Sequence, residues 1–378
     1  MVAQFNFPTV IRFGVGASAE LPEHLLSQGL NRPLVVTDPI VAKLDFFSRI
    51  IDSLTKAGLQ PQVHSEMHKN PVKTDVLKGR DLFRGENCDC IVGIGGGVAL
   101  DVARAIALSI HHHLDLFDYD DLIGGDQYVT EEVPYFVTLP TTSGTGSEVG
   151  RSAIIAEDET HRKRILFSPK LLAKHVFADP ELTYALPAFI TAATGMDALT
   201  HNMEAFLAKN YHPMCDGIAL EGMRLILGSI ERATNNPDPQ SRADMMLGSM
   251  MGAIAFQKGL GVVHSLAHPL SQLLDTHHGL ANAVNLPYGM KFNYVGNEAR
   301  FDRMAAQFVT PVRPEAIPEA LLALNVRLGL PTTLSGIGVK SDQLEQLADL
   351  AFADFCHPNN PKPVTRADFL SLYKEALG

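Results

Sequence analysis

Two hydrophobic patterns follow one another along this chain. Over residues 33–178, short unbroken apolar runs alternate with stretches whose apolar positions recur at helical spacing. The runs read as buried strands and the stretches between them as helices with one apolar face. Pro33-Leu34-Val35-Val36-Thr37-Asp38 is a strand that ends in an acid, and Phe46, Ile50, Ile51 and Leu54 then keep helical spacing until Gly58 stops it. The pattern next predicts a short strand over 61–64, a helix over 74–83, a strand over 90–94 and a helix over 98–110. Further strands are predicted over 135–140, 153–156 and 175–178. Strands alternating with helices imply a parallel sheet. Beyond Tyr184 the strand signal fades, and Ala, Leu, Met and Ile recur at helical spacing. Helices are predicted over 187–194, 197–208, 214–235, 241–257, 263–274, 281–294, 300–308, 314–328, 341–354 and 365–377. The loop Asn235-Asn236-Pro237-Asp238-Pro239 breaks the series. The seam falls near 180–187, so the expected organisation is an α/β domain over 1–182 and an all-helical domain over 183–378.

Composition narrows the class. Of 378 residues, 46% are hydrophobic and 19% charged, which suits large buried cores and excludes a disordered chain. A formal net charge of -11 argues against nucleic acid or an anionic membrane as partner. Cys88, Cys90, Cys215 and Cys356 form no C-x-x-C pair, as expected of free thiols in a reducing compartment. Gln4, Asn6, Pro8 and Arg12 interrupt the first apolar residues, so a secretory signal is not expected, and no apolar run is long enough for a bilayer. The expectation is a cytoplasmic enzyme. His111, His112 and His113 read as a solvated helix end, and the acidic stretch 118–121 as surface loop.

Candidate chemistry gathers at strand ends and in the helical half. Gly95-Gly96-Gly97 follows the strand over 90–94 and opens a helix carrying Asp101 and Arg104. Glycines let a ligand approach the backbone, and free N–H groups at a helix start face an anion, so this order suits a phosphate cradle; a tight turn without a ligand is the plainer alternative. The strand over 135–140 enters Thr141-Thr142-Ser143-Gly144-Thr145-Gly146-Ser147-Glu148, dense in hydroxyl donors. Asp38, the glycine run and this loop all lie at carboxyl ends of strands, where open α/β sheets bind ligands. In the helical half, Asp197 and His201 are spaced i, i+4, which puts a carboxylate and an imidazole on one helix face. Alone, that pair is as readily a surface contact. His264, His268, His277 and His278 crowd the same Gly-marked apolar segment, and mixed oxygen and nitrogen donors suit Zn²⁺ or Fe²⁺.

These motifs together resemble the iron-activated, or group III, alcohol dehydrogenases. The likeness runs over nearly the whole chain. It rests on Gly95-Gly96-Gly97 with Asp101, on Pro140 and the loop 141–149, on Asp179-Pro180, and on Gly195-Met196-Asp197-Ala198 with His201. It continues through Val263-His264-Ser265-Leu266-Ala267-His268-Pro269-Leu270 and His278-Gly279-Leu280-Ala281-Asn282-Ala283. The resemblance implies the dehydroquinate synthase-like fold of that family: an α/β N-terminal dinucleotide-binding domain, an all-α C-terminal metal-binding domain, and a homodimer or higher assembly. It implies a metal held by Asp197, His201, His264 and His278, with His277 outside the set, and His268 near the nicotinamide as a proton carrier. It implies NAD contacts from Gly95, Gly96, Gly97, Asp101, Thr141, Thr142, Thr145 and Ser147, and the strand-end position of Asp38 beside the cradle adds that residue. Asp38 would accept bonds from ribose hydroxyls and repel a 2′-phosphate, favouring NAD over NADP; a helix N-cap is its other reading. Fe²⁺ is the expected ion, and Zn²⁺ suits the same donors.

Two departures bear on detail. Val98 and Arg104 stand where many members have serine and a later lysine. Lys258, and Phe355-Cys356-His357-Pro358-Asn359-Asn360-Pro361, resemble a subgroup that includes 4-hydroxybutyrate dehydrogenases. The expected function is metal-dependent hydride transfer between NAD(H) and a primary alcohol or aldehyde, with a short ω-hydroxyacid such as 4-hydroxybutyrate as substrate. Lys258, or else Arg151, would meet its carboxylate. Three alternatives stay open: a general short-chain alcohol dehydrogenase or lactaldehyde reductase-like enzyme, a hydroxyacid–oxoacid transhydrogenase, and a non-catalytic metal-binding protein.

Overall fold

The structure, a computed structural model, describes Phe7 and residues 9–378. It holds two compact units, one of residues 9–142 and 147–183, the other of Phe7, 143–146 and 184–378. The first is α/β. Strands β1 (Val10–Phe13), β2 (Pro33–Val36), β3 (Gln62–His64), β4 (Cys90–Gly95), β5 (Tyr135–Pro140) and β8 (His175–Ala178) form one parallel sheet in the order β1-β8-β5-β4-β2-β3. β6 (Ser152–Ala156) and β7 (Lys163–Phe167) make a separate antiparallel pair. Helices α1 (Leu21–Ser27), α2 (Asp45–Lys56), α3 (Lys73–Gly85) and α4 (Gly97–His111) belong to the same unit.

The unbroken apolar runs have a simple cause. β2 and β4 are buried at every residue. Alternate side chains enter two cores: Leu34, Ile91 and Phe136 pack with Val76, Phe83 and Ile106 of α3 and α4, while Val35, Val92 and Val137 pack with Phe46, Ile50 and Leu54 of α2. A parallel strand covered on both faces therefore has no polar face to show. β1 and β7 escaped the sequence reading because they are mostly exposed or half-buried and carry no such run. The chain leaves β2 through α2 to β3, then returns through α3 to β4 on the other side of β2. The strand order reverses there, which opens a crevice at the carboxyl ends of β2 and β4.

Two surface expectations hold for His111, His113, Asp118 and Asp121, which are exposed, and are corrected for His112 and Asp120. His112 is buried, its Nδ1 2.9 Å from the Leu108 carbonyl oxygen and its Nε2 accepting from the Glu131 N–H at 3.1 Å. Asp120 is also buried and pairs with Arg164 at 3.0 Å, so the acidic stretch is anchored rather than free.

The second unit is all-helical: α5 (Ala188–Leu207), α6 (Pro213–Asn235), α7 (Pro239–Ala255), α8 (Val262–Leu274), α9 (His278–Tyr294), α10 (Glu298–Ala305), α11 (Ile317–Arg327), α12 (Leu344–Phe352) and α13 (Arg366–Leu377). α5 is buried without interruption from Thr191 to Leu207, as befits a helix enclosed by others. The sequence pattern split it near Gly195; the helix runs through. A Cβ at Gly195 would lie 2.7 Å from Met245 Cε and 2.9 Å from Ile230 Cδ1, so the glycine serves close packing of α6 and α7 and not a break. Among the described residues, no single helix is long and apolar enough to cross a membrane.

Candidate metal and cofactor sites

In the second unit, four side chains converge from three helices. Asp197 and His201 lie one turn apart on α5, His264 sits in the first turn of α8, and His278 opens α9. α9 can start against α5 because residue 279 is glycine: a Cβ there would fall 2.3 Å from the Ala193 carbonyl oxygen. Asp197, His201 and His264 are buried, and the His278 side chain is 32% exposed, which leaves one side of the cluster open. Asp197 Oδ1 lies 3.9 Å from His201 Nε2, 4.0 Å from His264 Nε2 and 3.5 Å from His278 Nε2. One donor atom from each residue lies within 4.8 Å of all the others. Bonds of about 2.0–2.1 Å put tetrahedral donors about 3.4 Å apart, so the set fits one divalent ion.

The electrostatics suit an ion as well. Burial holds His264 and His278 well below the ordinary imidazole range, so their lone pairs stay available. Burial pushes the Asp197 carboxyl up, but His201, His278, His264 and a bond from Asn282 outweigh it and hold it at about 2. An ionised Asp197 beside His264 and His278 with free lone pairs is the donor chemistry of a site for Fe²⁺ or Zn²⁺. Behind the donors, His264 Nδ1 lies 2.6 Å from Glu204 Oε2, and the same carboxylate accepts the N–H groups of Val263 at 2.7 Å and His264 at 3.3 Å. Such a carboxylate fixes the tautomer that leaves Nε2 free.

In the first unit, the crevice between β2 and β4 carries the glycine turn. Gly95 has φ +153, and a Cβ on it would meet Ala99 Cβ at 2.6 Å. Gly96 caps α4 with no side-chain bond, and the first turn of α4 holds no acid. A Cβ on Gly96 would lie 3.2 Å from Thr142 Cγ2. The result is a bare helix start, half-exposed at Gly96 and Gly97, flanked by a hydroxyl: the fit expected for a dinucleotide's pyrophosphate. Asp38 uses Oδ1 to accept the N–H groups of Ile40 at 2.8 Å and Val41 at 3.0 Å, a local turn and not the helix N-cap that was its other reading, since Ile40 and Leu44 precede the helical segments that follow. Its Oδ2 lies beside Gly95 and is left for a ligand.

Asp101 and Ser147 are corrected. Asp101 accepts from Ser147 Oγ at 2.8 Å, from Arg104 Nη1 at 3.1 Å and from the Ile154 N–H at 3.0 Å, so both of its oxygens are taken by protein. Arg104 is fully buried and also donates to the carbonyls of Leu171, Ser152 and Ser147. These three side chains clamp the exit of the hydroxyl loop. Thr141 is buried, while Thr142 and Thr145 are half-buried; Thr145 is counted to the second unit.

Residues 8–180 match the family described as iron-containing alcohol dehydrogenase, and residues 191–377 match the C-terminal part of the Fe-containing alcohol dehydrogenase family. The chain belongs to the iron-containing alcohol dehydrogenases. It is 41% identical to a 4-hydroxybutyrate dehydrogenase of Cupriavidus necator over 100% of both chains, and 34% identical to an NAD-dependent methanol dehydrogenase of Bacillus methanolicus, again over 100% of both. A solved 1,3-propanediol oxidoreductase superposes with a TM-score of 0.94 at 32% identity, over 99% of this chain and 100% of that one. This iron-containing alcohol dehydrogenase is thus an oxidoreductase of alcohol donors, with NAD and iron as its cofactors.

The two substrate candidates of this dehydrogenase part company. Lys258 is corrected: its side chain is fully buried, pairs with Asp216 and donates to the Phe206 carbonyl at 2.7 Å. Arg300 joins the same two acceptors, so Lys258 helps cap the end of α5 and has no free charge for a substrate. Arg151 differs. Its guanidinium lies 5.6 Å over the Phe167 ring, half-buried, and no carboxylate among the described residues pairs with it. Three residues behind the histidines went unnoticed in the sequence. Glu204 and Asn282 had a signal, since Glu204 stands three residues after His201 and Asn282 four after His278 on the same helix faces. Asp354 had none: its partner His268 lies 86 residues away in sequence.

Proposed function

We propose that this dehydrogenase interconverts a short ω-hydroxyacid, such as 4-hydroxybutyrate, and its semialdehyde at the expense of NAD(H). The full-length identity of 41% to a 4-hydroxybutyrate dehydrogenase carries this reading, and the acid-free guanidinium of Arg151 supports it. Asp197, His201, His264 and His278 hold the ion, and Gly95, Gly96, Gly97, Thr141, Thr142, Thr145 and Asp38 hold NAD. When bound, the ion supplies a Lewis acid for the substrate oxygen and NAD accepts the hydride. The free Nε2 of His268 would accept the hydroxyl proton of the alcohol and pass it to water. Arg151 meets the far carboxylate with a planar pair of donors. In this reading the enzyme is a homo-oligomer, as the family resemblance implies, and works in the cytoplasm, as its sparse free cysteines suggest. A second reading, a general short-chain alcohol dehydrogenase, is favoured by the methanol and 1,3-propanediol named for two relatives.

The experiment compares kcat/KM for 4-hydroxybutyrate and 1-butanol in the wild type and in Arg151→Ala. A charge-assisted contact contributes about 1.5–3 kcal/mol, so the variant should lose about tenfold to a hundredfold on the acid alone. A wild type that prefers butanol, or an Arg151→Ala variant slowed equally on both, decides for the general alcohol dehydrogenase.

A further inference from the structure

We propose that Asp354 is the positioning residue that fixes His268 with Nδ1 as donor and Nε2 as the free acceptor, and so sets which atom takes the proton from the alcohol. The inference rests on the reading of His268 as proton acceptor. His268 lies one turn after His264 on α8, outside the four-donor cluster, with its side chain 31% exposed. Its Nδ1 is 2.7 Å from Asp354 Oδ2. Its ring stacks on that of His278, with centroids 5.4 Å apart and planes at 20°, and on that of Phe355, at 5.7 Å and 28°. Among the described residues nothing bonds its Nε2.

Asp354 is itself held firmly. Its Oδ1 accepts from Ser265 Oγ at 2.6 Å and from the Cys356 N–H at 2.9 Å. Ser265 Oγ in turn accepts the His357 N–H at 2.9 Å. Ser265 and His268 stand three residues apart on one face of α8, so the short segment after α12 is clamped to the helix that carries His268. One oxygen of Asp354 is spent on that clamp and the other faces the imidazole. An ionised carboxylate only accepts, so the hydrogen of a neutral His268 sits on Nδ1 and the lone pair on Nε2. Without Asp354 the ring is free to carry its hydrogen on Nε2 and to turn, and both changes remove the acceptor.

The test uses the iron-loaded enzyme and its Asp354→Asn, Asp354→Glu and His268→Gln variants. Asp354→Asn should lower kcat by a large part of the roughly 10²- to 10⁴-fold that a positioned acid–base group contributes, with KM for NAD and alcohol and the bound iron within twofold of wild type. Asp354→Glu should recover part of the loss. In zinc-loaded protein labelled with ¹⁵N-histidine, free of the paramagnetism of iron, the His268 signals, identified by their absence in His268→Gln, should show a protonated Nδ1 in the wild type and a changed pattern in Asp354→Asn. If His268→Gln keeps full kcat, the proton-acceptor reading falls. If His268→Gln is slow but Asp354→Asn keeps both kcat and the ring signals, the present inference falls alone. It falls too if Asp354→Asn loses iron. His268, Asp354 and Cys356 also bring donor atoms within 4.8 Å of one another, so a second metal equivalent in the wild type that Asp354→Asn abolishes would replace the dyad by a metal site.

Discussion

Replacing Glu204 by glutamine tests the metal site without touching a donor. The Glu204 carboxylate lies at the start of α8 and accepts on both oxygens: the Val263 N–H reaches Oε1 at 2.7 Å, and the His264 N–H and ring Nδ1 reach Oε2 at 3.3 and 2.6 Å. Glutamine has the same shape but exchanges one acceptor for an NH₂ group. If that NH₂ takes the Oε2 position, it faces His264 Nδ1, and the imidazole must move its hydrogen to Nε2, the atom that would bind the ion. If it takes the Oε1 position, it opposes the Val263 N–H, and a buried donor at the head of α8 loses its acceptor, at a cost of about 1–3 kcal/mol. Neither arrangement leaves His264 as it was. Loss of such a supporting carboxylate weakens metal binding about 10- to 100-fold, or about 1.4–2.7 kcal/mol. The assay is competition for Fe²⁺ or Zn²⁺ against a chromophoric chelator at fixed pH, with NAD affinity as the control, since Glu204 lies in the all-helical unit. A Glu204→Gln variant whose metal affinity stays within twofold of wild type refutes the argument, and with it the assignment of His264 Nε2 as a donor.

Three further outcomes are expected. Lys258→Ala should destabilise the protein by about 1–3 kcal/mol, because Asp216 and the Phe206 carbonyl lose one donor while Arg300 still reaches both, and should change kcat/KM for acid and alcohol by the same factor; an acid-specific loss would restore Lys258 as the carboxylate anchor. Burial raises the Glu148 carboxyl from 4.5 to about 7, against the weaker pull of its own N–H and Arg104, and its Oε1 has no partner. The unfolded chain thus ionises Glu148 at lower pH than the folded one, and stability falls as pH rises from about 4.5 to 7 by up to about 3 kcal/mol. Glu148→Gln should therefore raise the melting temperature at pH 8 and leave it nearly unchanged at pH 4.5, and an equal shift at both values would contradict this. Asp38→Gly should narrow the preference for NAD over NADP in kcat/KM; an unchanged ratio would leave Asp38 with its turn role alone.

The amino-acid sequence by itself determined what depends on short range. Strands β2, β4 and β5 were legible because a strand buried on both faces has to be apolar throughout, and the second half was legible as helices from its spacing. The glycine turn after β4 and the Asp197–His201 pair were legible because a helix start and an i, i+4 face are local geometry. Tertiary structure decided the rest. β1 and β7, exposed or half-buried at nearly every position, have no pattern that separates them from loop. Gly195 reads as a break until α6 and α7 are seen to need the space of its missing side chain. Asp101 reads as a cofactor contact, but Ser147 and Ile154, 46 and 53 residues away, take its oxygens. Lys258 reads as a free charge until Asp216, 42 residues earlier, is found against it. A charge in a sequence carries no record of its partner, because the partner is chosen by packing between elements and the spacing along the chain is indifferent to it. For the same reason the histidines announced a metal site, whereas the carboxylate beside His268 became visible only when the segment after α12 was laid on α8.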